Sequence, residues 1–408
     1  MDDRRLATGG DVSSLAGATQ DEVRRSNLSL VLTLLHRRGA QSRSQIVATT
    51  GLNRSTVGDL VSELVDGGVV RESAGVSGGV GRPSLRVEPV AEAATVLALD
   101  MRVERTVAAV VGLGGRVFSR REQRHAGESQ DELLDQVCEI ARHVLAEGPG
   151  LASWVGTGIG VPGVVRTDDG LVRFAPNLGW VDVPLGDRVA QSFRSSFGGE
   201  RQVAVRNDSD LGVLAEQIRG AAADADNVIY LSGDVGVGGG FLIDGQPLVG
   251  AGGYGGEVGH MRVNPAGGVC RCGAIGCWET EIGQDAILRK SGAATLNETL
   301  DRASGGDAQA QQALAEVAQW LGLGLANLVN IANPQTIVLG GHLGAVYAAQ
   351  PTVVDRFVDG ALPAPREQAR VVCAALGAEG ALIGASEVAF SGLLADPIGV
   401  LARAEKAS

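Results

Sequence analysis

The chain has 408 residues and a formal net charge of −12, a length that suggests two or three domains and easily supplies a large core. The acidic balance excludes a general binder of polyanions, so any contact with nucleic acid must come from a local basic patch. Three of the five cysteines fall in one short segment, which is typical of a metal site in a reducing cytoplasm. No apolar run reaches the ~20 residues that span a bilayer, and no signal peptide opens the chain, so we expect a soluble, cytoplasmic protein that makes no membrane contact.

The first 90 residues predict a disordered tail followed by a small basic module. Residues 1–20 lack periodic apolar spacing, which is typical of disorder. Residues 21–90 begin with a helix whose apolar side chains recur at i, i+3, i+4 and i+7. A short helix that Ser42 can cap and Gly51 can end comes next, and Asn53 or its neighbour caps a third helix. Helix, short helix, glycine turn and helix is the helix-turn-helix arrangement.

The segments VVRES and SLRVEP predict two short strands around a glycine-rich tip, which completes a winged helix-turn-helix. The third helix would enter the major groove of DNA by its N-terminal end. Arg54 would then meet a base edge or a phosphate, and Arg82 in the wing would reach the backbone or the minor groove. The predicted DNA-binding residues are Arg43, Asn53, Arg54, Ser55, Thr56 and Arg82. The alternative is a helical bundle used for dimerisation, with solvated arginines.

From residue 91 to residue 408 the pattern changes to strands that alternate with helices. A hairpin of TVLALD and TVAAVVG comes first, and VGTGIGV, VAVR, NVIYLS, FLID, TIVLGG and VVCAA follow as strands. The longest helix covers roughly residues 307–333. This alternation predicts an α/β architecture with ligand loops at strand ends. Its length indicates two lobes with a cleft between them.

A short glycine-rich segment contains a set of metal ligands. His260 and the C-x-C-x4-C cluster of Cys270, Cys272 and Cys277 offer one imidazole and three thiolates, which is a tetrahedral zinc set. A closed shell of four protein ligands is the structural type of zinc site, and the glycines let the backbone fold tightly around one ion. The alternative is a group of free thiols in a loop, with His260 satisfied elsewhere.

Carboxylates and an amide are predicted to face a ligand in the cleft. The strand VAVR runs into Asn207 and Asp208, and a helix follows. A carboxylate at a strand end over a cleft can act as general base toward a hydroxyl, whereas the alternative is an ordinary helix N-cap. The zinc loop would present three further side chains to the same ligand, namely Glu257, His260 and Glu279.

Together these motifs resemble the ROK family of sugar kinases and sugar-responsive repressors over about residues 24–395. The matching text, in the order of the family, is GIGVPGVV, PNLGW, VRND, a glycine-rich loop, GGYGGEVGHM, CRCGAIGCWE and VLGG. The resemblance implies an actin-like, two-lobed sugar-kinase fold, with a small lobe of about residues 91–207 plus a C-terminal helix at 378–395 and a large lobe of about 208–377. It also implies zinc on the histidine and the three cysteines, and sugar hydroxyls bound by Asn207, Asp208, Glu257, His260 and Glu279.

The nucleotide side of the chain departs from the kinases of the family. Where these have an Asp-x-Gly-Gly-Thr phosphate loop, this chain has the run from Asp100 to Glu104, DMRVE, so larger side chains and a like charge replace two glycines and a threonine. A second Gly-Thr-Gly becomes Asp234-Val235-Gly236. The glycines from Gly236 to Gly240 resemble a phosphate-cradling loop, although such glycines are also common in strand turns.

These features predict a regulator of transcription, and a repressor in particular, of genes of carbohydrate metabolism. Its partners would be operator DNA, a sugar or sugar-phosphate effector and further copies of the chain in a homodimer or homotetramer, because two-fold operators suit helix-turn-helix dimers. No catalytic residue is expected, and Asp208 would be a vestigial general base. The alternatives are an ATP-dependent sugar kinase with an accessory DNA-binding domain and a regulator controlled by a protein partner.

Overall fold

The computed structural model describes residues 19–74, 85–125, 129–223, 225–234 and 236–401. The chain divides into two compact units, one made of Met1–Pro89 and Gly392–Leu401 and the other of Val90–Ser391 and Ala402–Ser408. The predictions for Arg82 and for most of the disordered tail lie outside the described residues.

Within the described residues, the Met1–Pro89 part of the first unit contains three helices and a three-stranded antiparallel sheet. These are α1 (Gln20–Arg38), β1 (Gln41–Ser42), α2 (Arg43–Thr50), α3 (Arg54–Asp66), β2 (Val70–Ala74) and β3 (Leu85–Pro89), with the strands in the order β1-β3-β2. Buried apolar side chains from all three helices, among them Leu35, Ile46 and Leu60, form its core. The predicted winged helix-turn-helix is confirmed.

Side-chain caps set the ends of these helices. The Ser42 hydroxyl accepts a hydrogen bond from the Gln45 amide at 3.2 Å, and the side-chain carbonyl of Asn53 accepts one from the Thr56 amide at 2.8 Å, so the first amides of α2 and α3 find partners. Gly51 ends α2 with φ +71°, a conformation that glycine adopts without strain. Thr19 caps α1. This helix therefore begins at Gln20, inside the segment predicted to be disordered.

The second unit starts with an α/β layer whose central sheet has five strands in the order β11-β7-β4-β5-β6. Its elements are β4 (Thr95–Met101), β5 (Arg105–Gly112), β6 (Val117–Arg124), α4 (Gln130–Ala146), β7 (Trp154–Val161), β8 (Val164–Arg166), β9 (Leu171–Ala175), β10 (Trp180–Pro184), α5 (Leu185–Phe197), β11 (Gln202–Asn207) and α6 (Asp208–Arg219). Strands β4, β7 and β11 are parallel. Their carboxyl ends therefore lie at one edge of the sheet.

A second five-stranded sheet, in the order β14-β13-β12-β15-β16, forms the other half of this unit. Its elements are β12 (Val228–Gly233), β13 (Val237–Ile243), β14 (Gln246–Pro247), α7 (Trp278–Ile282), α8 (Gln284–Ser291), α9 (Leu296–Ser304), α10 (Ala308–Ala332), β15 (Thr336–Leu339), α11 (Gly341–Ala349), α12 (Pro351–Val358), α13 (Pro363–Gln368) and β16 (Arg370–Cys373). The last helix, α14 (Gly380–Ala395), returns to the first sheet, because a Cβ at Gly158 of β7 would lie 1.9 Å from the Ala385 carbonyl oxygen. Two sheets with separate cores confirm the predicted two-lobed α/β architecture.

Two helices of the described residues are long and apolar enough to cross a membrane by length and composition alone, Ala308–Ala332 and Gly377–Ala395. The most apolar window of Ala308–Ala332 is 56% buried inside the protein. Twelve residues of α10 are buried, among them Leu321 and Leu325 in the core of the second lobe. Its apolar character is therefore explained by core packing.

A tight contact between α10 and α7 yields a stability prediction. A Cβ at Gly324 would lie 2.1 Å from the ring of the buried Trp278. We expect Gly324→Ala to lower the free energy of unfolding by about 1–3 kcal/mol through overpacking, although alanine is normally the better helix former. Gly380→Ala in α14 is the control, because nothing lies within 4 Å of its added methyl. Equal denaturant midpoints for the two variants would contradict the prediction.

Candidate functional site

The predicted metal ligands converge in the second unit. Each of His260, Cys270, Cys272 and Cys277 offers one ligand atom, and these four atoms lie within 4.8 Å of one another. The Cys272 and Cys277 sulfurs are 3.6 Å apart, and the Cys270 sulfur lies 3.7 Å from His260 Nδ1. Zinc–sulfur bonds of about 2.3 Å place two sulfurs of a tetrahedron about 3.8 Å apart. The donor set therefore fits a tetrahedral divalent metal.

Backbone hydrogen bonds and one glycine shape the loop that holds these ligands. The Cys270 amide donates to the Ala274 carbonyl at 2.8 Å, and the Val263 amide donates to the Gly276 carbonyl at 2.9 Å. Gly276 has φ +74°, and a Cβ there would lie 1.6 Å from the carbonyl oxygen of Asn264. Only glycine fits this position, immediately before the last cysteine ligand.

The thiols differ in how easily they ionise. Burial and the neighbouring Cys272 and Cys270 thiols raise the pKa of Cys277 to about 12, whereas a hydrogen bond from the Ala274 amide lowers the pKa of Cys272. Three thiolates this close repel one another strongly. A divalent cation, which supplies positive charge at the centre of the set, is what would allow all three to ionise.

Three predicted ligand-binding side chains surround this loop. The Glu279 carboxylate accepts the Val237 amide at 3.0 Å, and its other oxygen lies 4.0 Å from the Cys270 sulfur. His260 is exposed and turns Nδ1 to the cysteines, which leaves Nε2 available to a ligand. Burial raises the pKa of the Glu257 carboxyl, and the charge of His260 opposes this shift.

The Asn207–Asp208 pair stands where β11 ends and α6 begins. The Asn207 side-chain carbonyl accepts the Ser209 amide at 2.7 Å, and its Nδ2 donates to the Gly163 carbonyl at 2.8 Å. Asn207 is therefore the N-cap of α6, whereas the Asp208 carboxylate, for which an N-cap was the alternative, is the first residue of the helix. Burial, together with the charges of Asp100 and Asp234, raises the pKa of Asp208 to about 7.

Strand β13 links this pair to the metal loop. A Cβ at Gly238 would lie 2.3 Å from the Ser209 hydroxyl in α6, and a Cβ at Gly239 would lie 2.6 Å from Val258 in the turn before His260. The glycine run 236–240, which resembles a phosphate-cradling loop in sequence, thus lies mainly within a strand. Its glycines are needed because other segments pack directly on that strand.

A buried ion pair at the end of β4 is not evident from the sequence. Asp100, at the end of β4, is 2% exposed and accepts Arg102 Nε at 2.6 Å, while Arg102 Nη2 donates to the Ala378 carbonyl. Burial raises the pKa of Asp100, and Arg102 opposes that shift. The sequence signal was an arginine two residues after an aspartate that ends an apolar strand. No feature of the sequence pointed to the Ala378 carbonyl as the second partner of Arg102.

A two-lobed α/β unit of this kind, preceded in the same chain by a winged helix-turn-helix, defines a regulator built on a sugar-kinase fold. Residues 96–391 match the model of the ROK family, and the chain belongs to that family.

Similar proteins include repressors. The chain is 32% identical to the xylose repressor of Caldicellulosiruptor bescii over 335 residues, which cover 77% of this chain and 82% of that protein. It is 26% identical to the DNA-binding transcriptional repressor Mlc of Escherichia coli over 386 residues, which cover 90% of this chain and 94% of Mlc. The unmatched tenth of the chain is shorter than Met1–Pro89, so the Mlc match includes part of the first unit.

The fold is also found in a solved structure. The crystal structure of a ROK family transcriptional regulator, described as a homologue of the Escherichia coli MLC protein, matches with a TM-score of 0.78 and 22% identity. The match covers 95% of this chain and all of the other.

Proposed function

We infer that this chain is a sugar-responsive transcriptional repressor. The observation that carries the inference is that one chain joins a winged helix-turn-helix to a ROK unit in which α6, β13 and the metal loop bring carboxylates together. Hydroxyl groups of a sugar can donate hydrogen bonds to such carboxylates. Its similarity to proteins named as repressors supports the regulatory role.

Arg54 is proposed as the main DNA contact. It is exposed at the first position of α3 and forms no ion pair or hydrogen bond with the part of the chain that the structure describes. By contrast, Arg43 is paired with Glu72 at 2.8 Å, and the Ser55 hydroxyl donates to Asn53 at 2.7 Å. The N-terminus of a helix also attracts phosphate. Thr56 and Ser55 would contact the DNA backbone beside Arg54.

The effector is proposed to be a sugar or sugar phosphate bound in the cleft of the second unit. Asp208, Glu257 and Glu279 would accept hydrogen bonds from its hydroxyls, with Asn207 and His260 beside them. Zinc is proposed for the set of one histidine and three cysteines, because thiolate and imidazole ligands at this spacing suit it. The ion would have a structural role, since it holds the loop that carries His260 and leads into Glu279.

Regulation is proposed to act through lobe movement in a homodimer or homotetramer in the cytoplasm. Sugar binding would close the two lobes and change the spacing of the two winged helices, which must match paired half-sites on DNA. Operator affinity would then fall when the effector binds.

A second candidate function, an ATP-dependent sugar kinase, is favoured by one observation. Asp208 has a pKa of about 7, which suits a general base near neutral pH. A thermal-shift screen against sugars, with and without Mg-ATP, separates the two, because a ligand that binds the folded state raises its melting temperature. Stabilisation by sugar alone supports the sensor, whereas added stabilisation by ATP with ADP release identifies a kinase.

Replacing Arg54 with alanine tests the repressor. We expect operator affinity to fall by about 10–100-fold, because one base-edge or phosphate contact is worth about 1–3 kcal/mol, while sugar-induced thermal stabilisation stays unchanged. The measurement is a binding titration with duplex DNA that the wild-type chain has selected from a random pool. Arg25→Ala, an exposed arginine in α1, is the control. Unchanged affinity of the Arg54 variant would refute this assignment.

A further inference from the structure

Helix α6 lies between the second sheet and the last helix of the chain. On one side, a Cβ at Gly212 would lie 2.4 Å from the ring of Tyr230 in β12. On the other side, a Cβ at Gly384 of α14 would lie 2.1 Å from the carbonyl oxygen of Leu211. The backbones of α6 and α14 are therefore in direct contact, and close-packed elements transmit strain to one another. The first residue of α6 is Asp208, a proposed effector ligand.

A buried ion pair joins the far end of α6 to α14. Arg219 Nε donates to Glu387 Oε1 at 2.7 Å. The Glu387 side chain is 2% exposed, and that of Arg219 is 21% exposed. The guanidinium also packs on the turn between β5 and β6, because a Cβ at Gly115 would lie 2.6 Å from Arg219 Cζ. Breaking a buried ion pair leaves a charge without a partner and costs more than breaking an exposed one, so this contact holds the two helices in one relative position.

A buried carboxylate ties the same end of α6 to the segment that leads into α14. Glu216 is 1% exposed. Its Oε1 accepts a hydrogen bond from the Leu376 amide at 2.9 Å, and its Oε2 accepts one from the Ala375 amide at 3.2 Å. Oε2 also accepts a hydrogen bond from the Ala221 amide at 2.7 Å. Residues 375 and 376 lie between the end of β16 and the start of α14. Hydrogen bonds to a carboxylate are charge-assisted and strong, so Glu216 is a second anchor between α6 and α14.

Helix α14 contributes residues to both compact units. The second unit includes the helix up to Ser391, and the first unit includes Gly392–Leu401. Within the first unit, this segment packs on the turn between α3 and β2, because a Cβ at Gly67 would lie 3.0 Å from Ile398 Cδ1. Helix α3 begins with Arg54, the proposed DNA contact. A shift of α14 is therefore carried by continuous chain into the unit that holds the helix-turn-helix.

We propose that Arg219 and Glu216 are positioning residues that couple effector binding at Asp208 to α14. This role rests on the proposed repressor function and adds to it the route by which the cleft acts on the helix-turn-helix. An effector that binds Asp208 more tightly in one lobe arrangement favours the position of α6 that belongs to that arrangement. Because the far end of α6 is fixed to α14, the two helices shift together. Operator affinity then changes, since α14 continues into the first unit.

The test is the change in operator dissociation constant that sugar produces in the full-length, zinc-loaded chain. The probes are the sugar that stabilises the chain most in the thermal-shift screen and the duplex selected from the random pool. Couplings between two sites are typically about 5–150-fold. We expect Arg219→Met, which keeps much of the length of the side chain without its charge, to reduce the wild-type value at least about threefold. Glu216→Gln should do the same, because it places an amide group against backbone amides.

The sugar affinity of the free Arg219→Met chain should stay unchanged, and Arg219→Lys, which keeps the charge, should restore part of the coupling. A merely structural contact would lower the melting temperature and leave the coupling as it was. Arg188→Met is the matched control, because Arg188 of α5 pairs with Asp131 of α4 in the first lobe.

Two results separate this proposal from the repressor function. A wild-type chain whose operator affinity does not respond to sugar overturns both. A responsive wild-type chain with an equally responsive Arg219→Met variant overturns the coupling role alone, and so does an equal loss of response in Arg188→Met. If Arg219→Met does not fold, it is combined with Glu387→Met, because removal of both charges leaves no unpaired carboxylate in the interior. Full coupling in that double variant would also overturn the role.

Discussion

Replacing Cys277 with serine is expected to remove zinc from the chain and to loosen the loop that presents the effector ligands. Cys277 is fully buried, and the next residue, Trp278, is anchored in the second core. The rest of the loop has little core of its own, because Val269 is 76% exposed and Ile275 is 45% exposed. We therefore expect a bound metal ion to supply most of its rigidity.

The expected loss in the free energy of unfolding is at least about 3 kcal/mol, a fraction of the ~10–16 kcal/mol that zinc contributes to small zinc-finger peptides. The fraction is small because the core of the second lobe remains. Elemental analysis of the purified chain gives the metal content, and a denaturant titration gives the stability. Cys373→Ser is the matched control, since Cys373 is an exposed thiol outside the cluster. A Cys277 variant with full zinc content would show that the ligand set is wrong.

Local chemistry explains which features could be predicted from the sequence. Ser42, Gly51 and Asn53 act on backbone groups within four residues of themselves, so the helix-turn-helix was visible from residue types alone. The metal ligands fall within the short stretch from His260 to Cys277, where spacing limits the possible geometry. In both cases the partners are close together in the chain.

Contacts between distant segments could not be predicted in the same way. Arg102 and Ala378 are 276 positions apart, and no residue pattern in either segment predicts that the two are in contact. Asn207 presents a related case, because its side chain caps α6 and also contacts the carbonyl of Gly163, 44 positions away. The sequence showed that Asp100 to Glu104 departs from a phosphate loop, but only the fold shows that Arg102 pairs with Asp100 and donates to the Ala378 carbonyl.

The glycines of β13 are required for a different reason from the one that their sequence pattern suggests. The pattern resembles a phosphate-binding loop, whereas in the fold other segments pack directly on the strand. A glycine can be required by a ligand, by a turn or by a close neighbour, and the sequence does not distinguish these causes. Gly238 and Gly239 face Ser209 and Val258 at distances that exclude a side chain. Residues 162–165, PGVV, show the same limit, since a proline followed by a glycine is typical of a turn, whereas the two valines begin β8 (Val164–Arg166).

Replacing Asp208 with asparagine is expected to weaken effector binding and to stabilise the chain above pH 7. An ionised carboxylate accepts stronger hydrogen bonds than an amide, and its loss is worth about 1.5–3 kcal/mol, or about 10–100-fold in affinity. The folded-state pKa of Asp208, about 7, lies above its ordinary value of 3.8. The stability that the protonated Asp208 contributes to the folded state is therefore fully present below pH 3.8 and is lost as the pH rises through 7.

Asparagine resembles the protonated form of Asp208, so the variant should differ little from the wild type in acid and gain relative stability as the pH approaches 8. Asp210 also has a pKa of about 7, but it titrates in both chains and cancels in the difference. Asp169→Asn is the contrasting control, because Arg166 lowers the pKa of Asp169 to about 2, and that variant should gain no stability at pH 8. Melting curves from pH 4 to pH 8 give the stabilities, and titration with the stabilising sugar gives the affinity. If the Asp208→Asn variant binds sugar normally, Asp208 does not contact the ligand. Glu257 and Glu279 would then be the carboxylates that bind the sugar hydroxyls.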